Sequence, residues 1–309
     1  MRRYAATRLA ALVPTLLVVS LLAFALAELA GGDPAREAAE QGGQLAESDL
    51  VTELRTRWGL DNPLPLRYAR WLGAAVRGDL GESYLSRRPV AQELLGAFPA
   101  TLFLALAGLA VAAGAGIPLG VWAALRRDSL LDHLSRVVAV SFTAVPGFWL
   151  GLLLIALFAE VLGWLPSSGF GLDTHLALPA LTLGAASAAT VMRLVRSNVL
   201  DVMGLEFVRA AYAKGLAPGQ VAWRHILPNA LVPAVSHLGL RFGDLLAGAV
   251  VVESIFAWPG VGRVVLTAVS GRDLPVIAGF VLLSSCVFVT VNLAADLLCA
   301  TLDPRIRLP

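Results

Sequence analysis

His237, Arg241 and Asp244 follow one another at offsets of four and three inside an otherwise apolar stretch. That spacing places all three on one face of a helix. Ionisable side chains in an apolar span are costly, and they generally face a bundle interior or a water-filled path. Two readings fit. Arg241 and Asp244 neutralise each other as a structural pair, or the three residues form a polar wall along which a solute moves. A metal site fits poorly. His237 and Asp244 stand roughly 10 Å apart along a helix axis, whereas the ligands of one ion lie about 2 Å from it. Arg241 between them would also repel a cation. Cys286 and Cys299 lie about 20 Å apart on one helix, too far to pair with each other.

Lys214 is the sole lysine, and Gly215 and Leu216 follow it. A P-loop needs Gly-x-x-x-x-Gly-Lys-Ser/Thr so that the lysine reaches phosphate. This run cannot supply one, so any ATP and magnesium chemistry must sit on another chain. Nor does Gly260-x-Gly262 make a dinucleotide site; it lacks the third glycine and reads as a tight re-entrant turn. None of the 4 histidines stands beside a carboxylate pair in an apolar stretch, and Ser236, next to His237, lies about 100° around the helix from it. An intramembrane enzyme therefore has no constellation to work with.

The elements that must hold these residues are apolar and long. The 309 residues are 57% hydrophobic and 15% charged, with mean hydropathy +0.74. A soluble domain carries about 25% charged residues. Some 20 apolar residues cross about 30 Å of hydrocarbon. Six stretches qualify: Leu9–Ala30, Thr101–Ala124, Val137–Leu162, Leu176–Val195, Ala230–Val252 and Leu274–Leu298. The expected fold is an all-α membrane protein with six transmembrane helices. The first apolar run exceeds the 7–15 residue core of a signal peptide, so an uncleaved anchor is expected. Trp149, Trp164 and Trp258 are expected in the interfacial belt.

Arginine content of short loops sets orientation. Arg126, Arg127, Arg136, Arg193, Arg196, Arg209, Lys214 and Arg224 fall on one side together with both termini, while Gly163–His175 has no Lys or Arg. Both termini are thus expected in the cytoplasm. Residues 31–98 carry eight arginines and ten acids and read as an extracytoplasmic subdomain, since long segments translocate regardless of charge. Leu50–Trp58 has helical spacing, Asp61-Asn62-Pro63 is a turn, and Leu66–Val76 is amphipathic. The expected division is 1–30 as first helix, 31–98 as outer subdomain and 99–309 as a core of five helices.

That core contains a cytoplasmic loop at 196–228. A loop of such length without structure would be unusual. Leu205, Val208, Ala211 and Tyr212 recur at helical spacing, and Gly215 is a natural helix terminator. Pro218-Gly219 makes a turn, and Val221–Leu227 reads as a second short helix ending at Pro228. From the residues alone, the first of these helices is either an inert amphipathic helix lying on lipid or a surface gripped by a partner.

This loop carries a resemblance. Arg209-Ala210-Ala211, three residues, Gly215, nine residues and then His225-Ile226-Leu227-Pro228 resembles the EAA signature of bacterial ABC importer permeases. Arg209 stands where that signature has Glu, and His225 where it has Ile. Both departures resemble the dipeptide/oligopeptide/nickel branch. Further blocks follow in order: Gly59-Leu60-Asp61-Asn62-Pro63-Leu64, Gly78-Asp79-Leu80-Gly81, Phe98-Pro99-Ala100-Thr101-Leu102, Glu253 to Gly262, and Asp303-Pro304-Arg305-Ile306. The resemblance implies the type I ABC importer permease fold and a multi-pass protein of the bacterial inner membrane. It implies the first of two permease subunits, working with a second permease, two ATPase subunits and an extracytoplasmic substrate-binding protein. Contact with membrane lipid is expected, and none with nucleic acid.

The same resemblance makes Glu206, Arg209, Ala210, Ala211, Lys214, Gly215 and Leu216 a coupling helix seated in an ATPase cleft. Ala210 and Ala211 would allow close approach, and Gly215 the reversal. His237, Arg241 and Asp244 would line the translocation path. The cargo is left open between small peptides and nickel or a metal chelate. A different class, an ATPase-independent secondary transporter or channel, would favour inverted repeats with broken helices at midplane, and no such repeat is visible.

Overall fold

The computed structural model describes residues 14–22, 24–25, 33–41 and 48–302. The described chain forms two compact units, Met1–Ala100 with Pro259–Val289, and Thr101–Trp258 with Thr290–Pro309. Among the described residues the regular structure is helical, apart from one isolated bridge between Glu82 and Pro89.

In the first unit, α1 (Pro34–Gln41), α2 (Ser48–Trp58) and α3 (Leu64–Ala75) form a small helical subdomain. Ala35, Ala39 and Leu54 are its buried centre, ringed by Leu50, Val51, Trp58 and Leu60. Gly59 ends α2 with φ +64°, and Pro63 precedes α3 in an extended conformation. Arg55 fastens this turn, bonding Asp33 at 2.6 Å and Asp61 at 2.8 Å. These two acids, Asp61 foremost, raise the Arg55 pKa above its ordinary value. The helices expected around 50–58 and 66–76 are present, and α1 adds a third.

The segment after the fifth apolar stretch belongs to this unit. It holds α11 (Val261–Ser270) and the start of α12 (Leu274–Leu302). Asp273 explains the attachment. Its buried carboxylate accepts from Ser83 Oγ and, at 3.2 Å, from the Leu85 amide, while its Oδ1 caps α12 at Val276. Val90 and Leu94 pack with Val261, Ala268 and Val276. One boundary between the units falls at Ala100, and residues 259–289 group with residues 1–100.

The second unit contains most of α4 (Val90–Leu125), then α5 (Leu130–Ala144), α6 (Gly147–Leu154), α7 (Ala177–Met203), α8 (Glu206–Ala213), α9 (Pro218–Val221) and α10 (Leu227–Ile255). Among the described residues, four helical segments are long and apolar enough to cross a membrane: Val90–Leu125, Thr174–Met203, Pro218–Ile255 and Leu274–Ala295. The first expected crossing, Leu9–Ala30, lies mostly outside the described residues; of it, 14–22 and 24–25 are helical.

The third expected crossing is not one helix. α5 and α6 with its π-helical extension Ile155–Val161 meet at 107°. Val145 and Pro146 are both extended, with ψ 126° and 134°. Proline disfavours helical geometry in the residue before it, so the apolar run breaks there. Counted as one bent span, the pair gives a fifth crossing among the described residues.

The expected loop at 196–228 is also shorter than its sequence suggests. α7 continues past Val195 to Met203, carrying Arg196 and Asp201 within the helix. Pro228 ends nothing, because α9 passes through a π-turn at Ala222–Ile226 into α10. The Leu227 amide bonds back to the Ala222 carbonyl, a wide turn that admits proline in the first turn of α10. Trp258 is fully buried, with its ring 4.8 Å from Phe170, and is not an interfacial residue. Trp149 and Trp164 are exposed.

Candidate coupling surface and translocation face

α8 is two turns long and sits on its own seat. Val208 and Ala211 are buried in the cluster containing Val199, Val221 and Ile226. Its other face shows Glu206, Phe207, Arg209, Ala210, Ala213 and Lys214 to the exterior. A three-to-four residue apolar repeat produces this division. Expected as a pair allowing close approach by a partner, the two alanines divide: Ala210 is exposed, whereas Ala211 is small because its own core demands it. Leu216 likewise packs on that core.

The end of α8 is a Schellman motif. The Leu216 amide reaches the Ala211 carbonyl at 3.4 Å, and the Gly215 amide reaches Tyr212 at 2.9 Å. Gly215 has φ +78°, with nothing within 4 Å of where a Cβ would lie. Backbone strain, not crowding, is therefore what calls for glycine here. The result is a short helix held from beneath by Val208 and Ala211 and closed by the αL turn after it.

His237, Arg241 and Asp244 share one face of α10, as their spacing requires. Arg241 Nε donates to His237 Nε2 at 3.2 Å, and Nη1 donates to Asp244 Oδ2 at 2.9 Å. Arg241 is thus the middle of the set. Its side chain is 40% exposed and that of Asp244 59%, so the pair stands at a surface of this chain rather than in its core. Among the described residues no group of three or more His, Cys, Asp or Glu side chains is placed to hold a metal ion.

The description "binding-protein-dependent transport system inner membrane component" matches residues 116–308, and its N-terminal counterpart matches residues 1–105. The chain belongs to this family. The glutathione transport system permease protein GsiC of Escherichia coli O6:H1 (strain CFT073) is 43% identical over 307 residues, covering 99% of both chains. GsiC of Escherichia coli K12 is 42% identical and GsiC of Salmonella paratyphi A 41%, each with the same coverage. An inward-facing structure of the MetNI methionine ABC transporter aligns with a TM-score of 0.56 at 19% identity, covering 68% of this chain and 96% of that one. At that identity the likeness concerns the fold, which is that of an ABC importer permease. The permease is therefore a multi-pass inner-membrane transport component and not an enzyme, and family membership implies a binding protein and an ATPase as partners.

Three features of this permease escaped the sequence reading. Asp132, in the first turn of α5, is fully buried and receives Arg196 of α7 through Nε at 2.6 Å and Nη2 at 2.7 Å. Arg136 lies 3.7 Å away. Ser129 caps α5 by accepting the Asp132 amide. The Ser129-x-x-Asp132 pattern was a readable helix start, although the partner of Asp132 lies far along the chain. The second feature is a close seam between α4 and α7. A Cβ on Gly116 would lie 2.7 Å from the Ala188 carbonyl oxygen, and one on Gly120 2.6 Å from that of Met192. Gly116-x-x-x-Gly120 is the sequence signal for such an approach. The third is Glu253, fully buried near the end of α10, which accepts from Thr101 Oγ1 at 2.6 Å.

Proposed function

We propose that this permease forms half of the translocation pathway of an ATP-driven importer for small peptides, with a glutathione-like tripeptide as the favoured cargo. In this reading its termini lie in the cytoplasm, its partner in the pore is a second permease, and two ATPase subunits bind and hydrolyse ATP with magnesium. The observation that carries the coupling role is α8, a rigidly terminated helix anchored by Val208 and Ala211 while Arg209, Ala210 and Lys214 stay exposed. Rigid elements transmit rigid-body movement, and an exposed face on a fixed helix is what a closing ATPase pair could pull.

The cargo assignment draws on relatives named for glutathione transport and on the α10 stripe. A tripeptide with carboxylates and an ammonium group meets complementary chemistry in Arg241 and Asp244. Nickel or a metal chelate is the second reading. A bare cation is disfavoured beside Arg241, which stands between His237 and Asp244, while the carboxylates of a chelate could still meet that guanidinium.

The test is a pair of variants in the assembled importer. Gly215→Pro and Arg209→Glu should leave the protein in the membrane yet abolish ATP-dependent glutathione uptake, with ATP hydrolysis no longer stimulated by the loaded binding protein. Normal stimulation and uptake in both would remove α8 from the coupling role.

A further inference from the structure

The first unit holds a cleft of about 330 Å³ that the transport reading does not use. Its polar lining is Arg57, Arg67 and Arg70 against a single acid, Glu82, and its walls include Trp58 and Trp71. The volume is at the lower end for small-ligand sites. Arg57 is already paired with Glu82 at 3.3 Å, and the Arg67 guanidinium lies 5.9 Å from the centre of the Phe24 ring. Arg70 extends from the exposed face of α3. The indole Nε1–H of Trp71 is buried and has no hydrogen-bond partner among the described residues. A ligand oxygen reaching that donor would satisfy it, and a buried unpaired donor is costly.

The apolar side of the cleft names the ligand class. Phe24 comes from the first helix, whose Leu17, Val18, Leu21 and Leu22 are exposed, and Leu274, Pro275 and Ala278 come from the start of α12. The Leu274–Ala295 part of α12 is the most apolar of the candidate spans among the described residues. Arginine and tryptophan where apolar helices end are at the level of lipid headgroups. Guanidinium groups hold phosphate oxygens in a two-point fork. A soluble anion would use the arginines and leave the apolar flank uncovered.

We propose that this cleft binds the phosphate of an anionic phospholipid, with Arg67 and Arg70 on the headgroup and the acyl chains laid along the exposed apolar residues of the first helix. The bound lipid would tie the α2–α3 subdomain to the membrane surface.

The test exchanges the full-length permease, purified with its partner subunits in mild detergent, into an equal mixture of phosphatidylglycerol and phosphatidylethanolamine. Native mass spectrometry then counts retained lipid. Wild type should retain phosphatidylglycerol in preference. Arg67→Gln with Arg70→Gln should lower that preference at least about two- to tenfold, the span of one lost hydrogen bond, and Arg77→Gln, on the same subdomain but outside the cleft, should not. No preference in wild type, or an equal loss in Arg77→Gln, overturns the proposal. Displacement of the lipid by millimolar inorganic phosphate or glutathione would overturn it as well, because the cleft would then be a site for soluble anions.

Discussion

Arg196 grips Asp132 at two points, Nε to Oδ1 at 2.6 Å and Nη2 to Oδ2 at 2.7 Å, and so joins the start of α5 to the far end of α7. The carboxylate is fully buried and the arginine 17% exposed. The Asp128 amide adds a bond at 3.0 Å, so both carboxylate oxygens are engaged. Removing one partner of such a pair strands the other charge and costs about 3–5 kcal/mol. Arg196→Ala should therefore lower the amount of folded permease in the membrane and its thermal midpoint. Arg196→Lys should recover little, since an ammonium group cannot make the two-point contact. A midpoint equal to wild type in Arg196→Ala, measured by fluorescence-detected size exclusion after heating, would show the pair to be dispensable.

Gly215 makes a different prediction, because the space around it is open while its φ is +78°. Ala in this conformation is strained by about 1 kcal/mol, and Asn tolerates it better. Gly215→Asn should transport close to wild type, Gly215→Ala less well, and Gly215→Val least. Uptake assays at matched membrane abundance check the order. Equal activity in all three would mean that the αL turn does not position α8.

The α4–α7 seam is limited by backbone, not by movable side chains. In lipid, small residues let helices pack where no hydrophobic force draws them together. Gly120→Val should disrupt folding, since its Cβ would sit 2.6 Å from the Met192 carbonyl oxygen. Gly114→Val, with nothing within 4 Å of its Cβ position, should be tolerated. Detergent-stable yield of the two variants decides this.

On α10, Asp244→Asn keeps shape and removes charge at a residue that is 59% exposed. It should change glutathione uptake while leaving membrane abundance unaltered. Arg241→Gln should raise the KM more than it lowers the maximal rate, as expected if the guanidinium meets cargo carboxylate in the ground state. Unchanged KM in both variants would return the stripe to a structural role.

Much of this was legible in the sequence, for reasons that differ by element. Apolar length marked α4, α7, α10 and α12, because hydrocarbon imposes a minimum run on any crossing. Gly215 marked the end of α8 through a local backbone need. The bend at Pro146 was open to view in a single residue, yet apolar composition outweighed it. The burial of Ala211, Trp258 and Asp132 could not be read, since each depends on residues distant in the chain: Ile226 in the cluster around Ala211, Phe170 against Trp258 and Arg196 on Asp132. Charge misled at the end of α7, where Arg196 and Asp201 read as loop but continue the helix toward Met203.

Coupling through α8 requires that this chain move cargo only together with an ATPase. The most direct test reconstitutes the permease pair in vesicles, with labelled glutathione and loaded binding protein on one side, and compares preparations with and without the ATPase subunits and ATP. Accumulation is expected only when both are present, and none from the permeases alone. Glutathione entry by the permeases without the ATPase subunits would overturn the coupled mechanism and identify a channel or secondary transporter.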